Sequence, residues 1–183
     1  MALTVTELSL PGVLLVEPPG FGDDRGFFME TWNAGKFAEG GITAPFVQDN
    51  LSRSSQGILR GLHYQIKKPQ GKLVSVLSGE VFDVAVDLRK KSATFGQWVG
   101  VYLNDENRQM LWIPPGFAHG FYVVSQRADF FYKCTDFYAP EYERAVSWDD
   151  PDLGIDWPLA DGKPPILSSK DKEADSFRNA EYF

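Results

Sequence analysis

The stretch EVFDVAVDL, residues 80–88, carries the clearest structural signal in the chain. Alternate side chains of an extended strand point to opposite faces. One face of this stretch would be wholly apolar, with Phe82, Val84, Val86 and Leu88. The other face would mix apolar side chains with two aspartates, Asp83 and Asp87. This two-residue period predicts a β-strand with unlike faces.

Strand signals of the same kind recur on both sides of residues 80–88. Short runs rich in β-branched and aromatic residues occupy residues 13–17, 26–32, 46–52, 58–65, 72–78, 97–103, 108–114, 117–124 and 128–138. Turn residues such as Ser78-Gly79 separate them, and this spacing is typical of a β-sandwich or small barrel. Helix signals are confined to residues 33–39 and 169–177, the second with Ser169 as its expected N-cap. We predict one all-β domain over residues 1–183, with short peripheral helices.

Composition limits the classes of function. The chain has 183 residues and a net charge of −7, which disfavours nucleic acid as a partner because such binding needs a broad basic surface. Cys134 is the only cysteine, so no intramolecular disulfide can form, as in proteins of reducing compartments. No segment has the roughly 20 apolar residues of a membrane helix, and residues 1–13 do not resemble a signal peptide. We therefore expect a cytoplasmic protein with no membrane partner.

The two histidines of the chain lie in motifs that resemble those of the cupin superfamily. Pro114, Gly116 and His119 have the spacing of the second cupin motif, and residues 61–65 stand where the first would be. Gln65 takes the place of its second histidine. A transition metal needs three or four converging N, O or S ligands. The resemblance therefore implies a cupin-like jelly-roll barrel that kept its pocket and has no metal site.

Read together, the motifs resemble the dTDP-4-dehydrorhamnose 3,5-epimerase family over nearly the whole chain. In order they are FGDDRGFF at residues 21–28, Glu30, QDN at 48–50, LRGLHYQ at 59–65, Gly71-Lys72, GEVFDVAVDLR at 79–89, WIP at 112–114, HGF at 119–121, Tyr132-Lys133 and LSSKD at 167–171. The resemblance implies a cofactor-free isomerase that inverts carbons 3 and 5 of dTDP-4-dehydro-6-deoxy-D-glucose. It also implies a homodimer in which an N-terminal strand joins the sheet of the partner.

The chemistry of such a reaction requires few groups. A proton beside a ketone must be removed by a base that titrates near neutral pH, as an imidazole does, and another must be returned from the opposite face. A donor must stabilise the enolate oxygen, and a carboxylate should orient the imidazole. The resemblance implies these roles for His63 as base, Tyr132 as acid, Lys72 as enolate partner and Asp171 as the group that orients His63. Asp83, on an otherwise apolar strand, is a second candidate for the orienting role.

The resemblance also implies a set of substrate-binding residues. They are Arg25, Glu30, Gln48, Asn50, Arg60, Lys72, His119, Tyr138, Glu143 and Lys170. Arg25, Arg60 and Lys170 would meet the diphosphate, and Tyr138 would stack on thymine. In a regular strand Arg60 and His63 face opposite ways. Either Gly61 marks a bulge, or Arg60 serves another site, for example across a dimer interface.

Other interpretations of these residues remain open at this point. His63 and His119 could be structural, Tyr132 could belong to an aromatic core, and Asp171 could be an early-turn helix charge. An epimerase acting on one carbon of a related dTDP-sugar is an alternative function. A non-catalytic sugar-nucleotide binder is a second alternative, and a metal-dependent cupin oxygenase is a remote third. The chain has no glycine-rich dinucleotide-binding motif, so a nicotinamide cofactor is not expected.

Overall fold

The computed structural model describes residues 2–183, which form thirteen β-strands and two short α-helices. The strands are β1 (Thr4–Glu7), β2 (Leu14–Glu17), β3 (Gly20–Asp23), β4 (Gly26–Met29), β5 (Gln48–Ser55), β6 (Leu59–Gln65), β7 (Lys72–Ser78), β8 (Glu80–Asp87), β9 (Trp98–Asn104), β10 (Met110–Ile113), β11 (Phe117–Val123), β12 (Arg127–Cys134) and β13 (Glu143–Ala145). The helices are α1 (Ala34–Glu39) and α2 (Ser169–Lys172). Three short 3-10 helices lie at Pro140–Tyr142, Ala160–Gly162 and Phe177–Asn179. No helix within residues 2–183 is long and apolar enough to cross a membrane.

Two antiparallel sheets make up the body of the fold. The first has six strands in the order β1-β2-β10-β7-β12-β5, and the second has five in the order β13-β6-β11-β8-β9. The strands β3 and β4 form a separate hairpin. Connections that jump between non-neighbouring strands are those of a jelly roll, and they bring both sheets around one apolar core. The predicted all-β, cupin-like fold is confirmed.

The strand β8 separates two apolar clusters. Val81 and Ala85 pack into the core between the sheets, with Phe121 and Phe130. Phe82, Val84 and Val86 face the other way, into a cluster that includes Tyr122 and Trp157. Both faces are buried, since chain segments after β13 cover the outer side of the five-stranded sheet. The alternation therefore predicted the strand correctly but did not reveal that it has no solvent-facing side.

A bulge in β6 reverses the expected direction of its side chains. Arg60 pairs with Phe121 and His63 pairs with His119, so β6 has two residues, Gly61 and Leu62, opposite only one residue of β11. The extra residue shifts the two-residue period by one. Gly61 has φ of 140°, and a Cβ there would come within 2.5 Å of Gly120 Cα, so this position requires glycine. Arg60 and His63 therefore lie on the same, inward face of the sheet.

Four details differ from the sequence-based expectation. The N-cap of α2 is Ser168, whose side chain accepts from the backbone N–H of Asp171, so the prediction of Ser169 was wrong by one residue. The helix itself has only four residues because the chain then forms a bridge between Asp175 and Val146. The predicted strand over residues 128–138 ends at Cys134, and residues 135–139 form a loop. The strands β1, β3 and β13 were not predicted, since each has only three or four residues and none of those residues is buried.

Candidate active site

A cavity of about 90 Å³ opens between the two sheets. Its lining residues come from both sheets and from the loops at one end of the barrel: His63, Tyr64, Gln65, Gln70, Lys72, Ile113, Phe117, His119, Tyr132, Tyr138 and Glu143. Six of the sequence-predicted site residues line this cavity: His63, Lys72, His119, Tyr132 and Glu143, on β6, β7, β11, β12 and β13, and Tyr138, in the loop after β12. The fold thus brings together residues that lie up to 80 positions apart in the chain.

His63 lies on β6 and is paired with a buried carboxylate. Its Nε2 is 2.5 Å from Asp171 Oδ1. The His63 side chain is 29% exposed, whereas that of Asp171 is 3% exposed. With Nε2 donating to the carboxylate, Nδ1 is the ring nitrogen left to accept a proton from a ligand. The geometry is that of a base oriented by a carboxylate.

Asp171 is held in place by its own helix start. Ser168 Oγ donates to Asp171 Oδ2 at 2.7 Å and accepts from the Asp171 backbone N–H at 3.1 Å. Burial raises the pKa of this carboxyl, but hydrogen bonds from His63 and Ser168 outweigh burial and bring the pKa below its ordinary value. Asp171 is therefore a carboxylate at neutral pH, with one oxygen for His63 and one for Ser168.

The other candidate for orienting His63, Asp83, lies elsewhere. Its carboxylate is fully buried on β8 and accepts from Nε2 of His119 at 2.9 and 3.1 Å. Burial lowers the pKa of His119, although the charge and hydrogen bond of Asp83 oppose this. In the structure it is Asp171, and not Asp83, that contacts His63.

Lys72 and Tyr132 reach the cavity from the opposite, six-stranded sheet. Burial lowers the pKa of the Lys72 amine, while Cys134, Asp83 and Glu143 partly oppose that effect. No carboxylate within residues 2–183 forms an ion pair with Lys72. Burial raises the pKa of Tyr132, which keeps the phenol protonated. Two proton donors therefore face His63 from the other side of the cavity.

Several predicted binding residues surround the cavity mouth. On β5, Gln48 Nε2 donates to Asn50 Oδ1 at 3.1 Å, and Asn50 pairs with Tyr132 across the strands. Tyr138 is half-exposed, and its hydroxyl donates to Glu143 Oε2 at 2.6 Å. Lys170 forms an ion pair with the same Glu143 oxygen. Its predicted contact with a diphosphate would have to replace or share that ion pair.

The two predicted arginines occupy different surroundings. Arg60 faces inward because of the bulge, and its Nε donates to Ser54 Oγ at 3.1 Å. Arg25 lies at the tip of the β3–β4 hairpin, is 89% exposed and forms an ion pair with Asp23. Glu30 forms an ion pair with Lys36 at 2.9 Å. The structure does not bring Arg25 or Glu30 to the cavity of their own chain.

The cupin resemblance raises the question of a metal in this cavity. Nε2 of His63 faces Asp171, Nε2 of His119 faces Asp83, and the amide of Gln65 is hydrogen-bonded to backbone groups. In the part of the chain that the structure describes, no three His, Cys, Asp or Glu side chains converge as metal ligands. These residues do not fit a cupin metal centre.

Sequence reasoning missed three residues that support the site. Ser168 lies one position before the serine that was expected to cap α2. Gln65 was noted only as the replacement for a metal ligand, and Gln70 was not singled out. The one sequence signal for Gln65 was a polar residue on the same strand face as His63, in a strand whose neighbours are apolar.

Comparisons with known proteins identify the family to which the chain is similar. A family model described as dTDP-4-dehydrorhamnose 3,5-epimerase matches residues 7–179. A protein of that name from Pseudomonas aeruginosa is 58% identical over 182 residues, covering 99% of both chains. The structure of a dTDP-6-deoxy-D-glucose-3,5-epimerase from Legionella pneumophila, in complex with dTDP-4-keto-L-rhamnose, is 54% identical and aligns with a TM-score of 0.94, over 98% of this chain and 95% of that one. A 3'-monoepimerase from Streptomyces bikiniensis, in complex with dTDP-quinovose, is 35% identical with a TM-score of 0.85, over 92% and 85%.

Proposed function

The chain belongs to the dTDP-4-dehydrorhamnose 3,5-epimerase family and is therefore an isomerase, and from this premise we propose how it works. Its substrate is dTDP-4-dehydro-6-deoxy-D-glucose, whose carbons 3 and 5 it inverts to give dTDP-4-dehydro-L-rhamnose. The reaction needs no metal and no cofactor, because the 4-keto group already acidifies both neighbouring C–H bonds. His63, Lys72 and Tyr132 carry the chemistry, and Asp171 orients His63.

The observation that supports this mechanism is the placement of the proton-transfer groups on opposing sheets. His63 Nδ1 takes the proton from the carbon next to the ketone, and the C–H electron pair becomes the enolate double bond. The carbonyl electrons move to the oxygen, which accepts a hydrogen bond from Lys72. Tyr132 then gives its proton to the opposite face of the carbon, and the configuration inverts. Solvent reprotonates the phenolate and removes the proton from His63.

The altered acidities of the two donors suit their proposed roles. Burial lowers the pKa of Lys72, which makes its N–H a stronger donor to an enolate oxygen. Burial raises the pKa of Tyr132, so the phenol holds its proton until a carbanion, which is far more basic, takes it. A carboxylate-paired His63 gains a positive charge beside Asp171 during the reaction, and that charge is stabilised there.

The nucleotide would lie at the cavity mouth. Tyr138 presents a half-exposed ring for stacking on thymine, and Gln48, Asn50 and Glu143 offer polar groups beside it. Arg60 and Lys170 supply cations for the diphosphate, and His119 contributes to the sugar end of the pocket. These roles follow the family resemblance together with the placement of each side chain.

A homodimer accounts for the residues that lie outside the cavity. The hairpin β3–β4 exposes Phe21, Phe27 and Phe28, an apolar surface that a soluble monomer rarely leaves uncovered. β1 is an edge strand, whose unpaired backbone groups can extend the sheet of a second copy. Arg25 sits on the same hairpin, so in a dimer it would serve the neighbouring chain's cavity. The cytoplasmic location stays a prediction.

Solvent exchange tests the proposed reaction. The protein is incubated with the 4-keto sugar nucleotide in D2O, and the product is analysed by proton NMR. Deuterium at both carbon 3 and carbon 5, with inversion at each, is the expected result. Deuterium at carbon 3 or carbon 5 alone would identify a single-carbon epimerase. The similarity to the 3'-monoepimerase is the observation that favours this alternative. No deuterium, together with tight binding of dTDP, would instead identify a binding protein.

A further inference from the structure

The loop of residues 135–139 carries Tyr138 and follows directly on β12, whose Tyr132 lines the cavity. Its backbone is held by side chains from three other parts of the chain. Gln70 Nε2 donates to the Asp136 carbonyl at 2.8 Å, and Gln48 Oε1 accepts from the Tyr138 N–H at 2.9 Å. Such contacts hold a short loop in one conformation. A ring that stacks on a ligand binds it more tightly when its loop is already ordered, because less conformational freedom is lost on binding.

Gln65 makes the most extensive of these contacts. Its Oε1 accepts from the Ala139 N–H at 2.8 Å, and its Nε2 donates to the carbonyls of Phe137 at 3.3 Å and Lys68 at 2.8 Å. The side chain thus bonds the residues on both sides of Tyr138. It is 4% exposed, so water cannot replace these bonds easily.

The chemistry of this position is specific to a primary amide. Two carbonyls require a donor and one N–H requires an acceptor, and only an amide provides both from one side-chain end. A glutamate would lose the donors and bring a charge, and a histidine could not reach the same three partners with one ring edge. The residue in the place of a cupin metal ligand therefore uses two of its three hydrogen bonds to hold the loop and the third to hold Lys68.

We propose that Gln65 and Gln70 are positioning residues that fix the loop of residues 135–139 and thereby hold the Tyr138 ring ready for the base of a nucleoside diphosphate. This inference rests on the proposed nucleotide site. Its consequence is that these glutamines control affinity for the nucleotide and leave the proton-transfer step at His63 unchanged.

The test combines Gln65→Met with Tyr138→Ala in a double-mutant cycle. Methionine has a similar length, carries no charge and removes all three hydrogen bonds. Binding of dTDP is measured by calorimetry, and kcat and KM are measured with the 4-keto sugar nucleotide. Gln65→Met should raise the Kd for dTDP and the KM about tenfold, with kcat within about threefold of wild type. In the Tyr138→Ala background it should change the Kd less than about twofold, because its effect acts through that ring.

Two further variants keep the test decisive. Gln56→Met is the matched control, since Gln56 also donates to a backbone carbonyl, that of Val124, but lies exposed and away from the cavity. It should leave the Kd unchanged. Gln70→Met removes a single bond and should raise the Kd by a smaller factor, again only when Tyr138 is present. If Gln65→Met fails to fold, the Gln70 cycle decides the question.

The outcomes separate this proposal from the proposed reaction. An unchanged Kd in Gln65→Met, or an equal rise with and without the Tyr138 ring, would overturn the positioning role even in a fully active enzyme. A wild-type protein that binds dTDP but exchanges no deuterium would overturn the reaction and leave the positioning role standing. Failure of the wild type to bind dTDP would overturn both.

Discussion

The molecule contains two His–Asp pairs whose histidines lie on neighbouring strands, and the two pairs differ in burial. His63 and His119 face each other across β6 and β11, and each ring meets one carboxylate through Nε2. His119 and Asp83 both lie inside the barrel, with side chains 7% and 0% exposed. His63 is 29% exposed, and its carboxylate comes from α2, outside the sheets.

This difference is the basis on which we propose different roles for the two pairs. A fully enclosed imidazole is costly to protonate, and burial accordingly lowers the pKa of His119. A partly exposed imidazole beside a buried carboxylate can meet a ligand and take up its proton. We therefore assign proton abstraction to the outer pair, His63 and Asp171. We assign support of the pocket wall to the inner pair, His119 and Asp83.

The largest effect should come from removing the base. His63→Asn is expected to lower kcat by about 10²–10⁴-fold, the range typical of a general base. Deuterium uptake into the sugar should disappear with it, and dTDP binding should persist. His119→Asn serves as the comparison and should retain measurable exchange. If His119→Asn abolished exchange and His63→Asn did not, the roles of the two pairs would be reversed.

A smaller effect is expected from the carboxylates. Asp171→Asn should lower kcat about 100-fold, because the amide can no longer stabilise the charged imidazole, with little change in KM. Asp83→Asn should act mainly on stability and lower the free energy of unfolding by about 1–3 kcal/mol, since it disturbs a buried hydrogen-bonded pair. Steady-state kinetics and urea unfolding of both variants measure this contrast. Equal losses of kcat in the two would remove the distinction between the pairs.

Ser168→Ala probes how the outer pair is held. It removes the hydrogen bond to Asp171 Oδ2 and the N-cap of α2. The pKa of Asp171 should rise, because one of the bonds that lowers it is gone. The acid limb of the kcat–pH profile should then move to higher pH. The value of kcat at pH 7 should fall about tenfold for a separate reason, because a carboxylate that has lost one of its hydrogen bonds orients His63 less firmly. Ser168→Thr, which retains a hydroxyl, should restore both, and an unshifted acid limb in Ser168→Ala would argue against this linkage.

The smallest effect concerns the pH dependence of stability. Because the folded-state pKa of His119 lies below its unfolded value, the unfolded chain binds more protons between those two values. The contribution of His119 to stability is therefore present above its ordinary pKa and is lost as the pH falls below that value. His119→Gln should show a shallower loss of unfolding free energy between pH 7 and pH 5 than wild type. Parallel urea titrations at several pH values give the comparison, and identical slopes would contradict it.

Much of this arrangement could be predicted from sequence, since local patterns mark local structure. Alternation identified the strands, and the spacing around His63 and His119 indicated a cupin-like barrel. The orientation of Arg60 could not be derived from alternation, because one extra residue at Gly61 reverses it. The choice between Asp83 and Asp171 also lay beyond the sequence, since Asp171 is 108 positions from His63 and reaches it only through tertiary packing.

The conformation of the loop that carries Tyr138 also could not be predicted from local sequence patterns. The run of aromatic residues predicted a strand through residue 138, yet the strand ends at Cys134. Glutamine side chains from β5 and β6 satisfy the backbone groups of residues 137–139 that a strand neighbour would otherwise have paired. Such long-range side-chain contacts leave no local sequence pattern.

The stereochemical outcome in a Tyr132→Phe variant tests the central claim most directly. With His63 intact and the acid on the opposite sheet removed, proton abstraction should continue, and return should occur from the side of His63 alone. In D2O, proton NMR should therefore show deuterium entering the 4-keto sugar nucleotide with its original configuration retained. Inversion at carbon 3 and carbon 5 at the wild-type rate would contradict the assignment of the base and acid to opposing sheets.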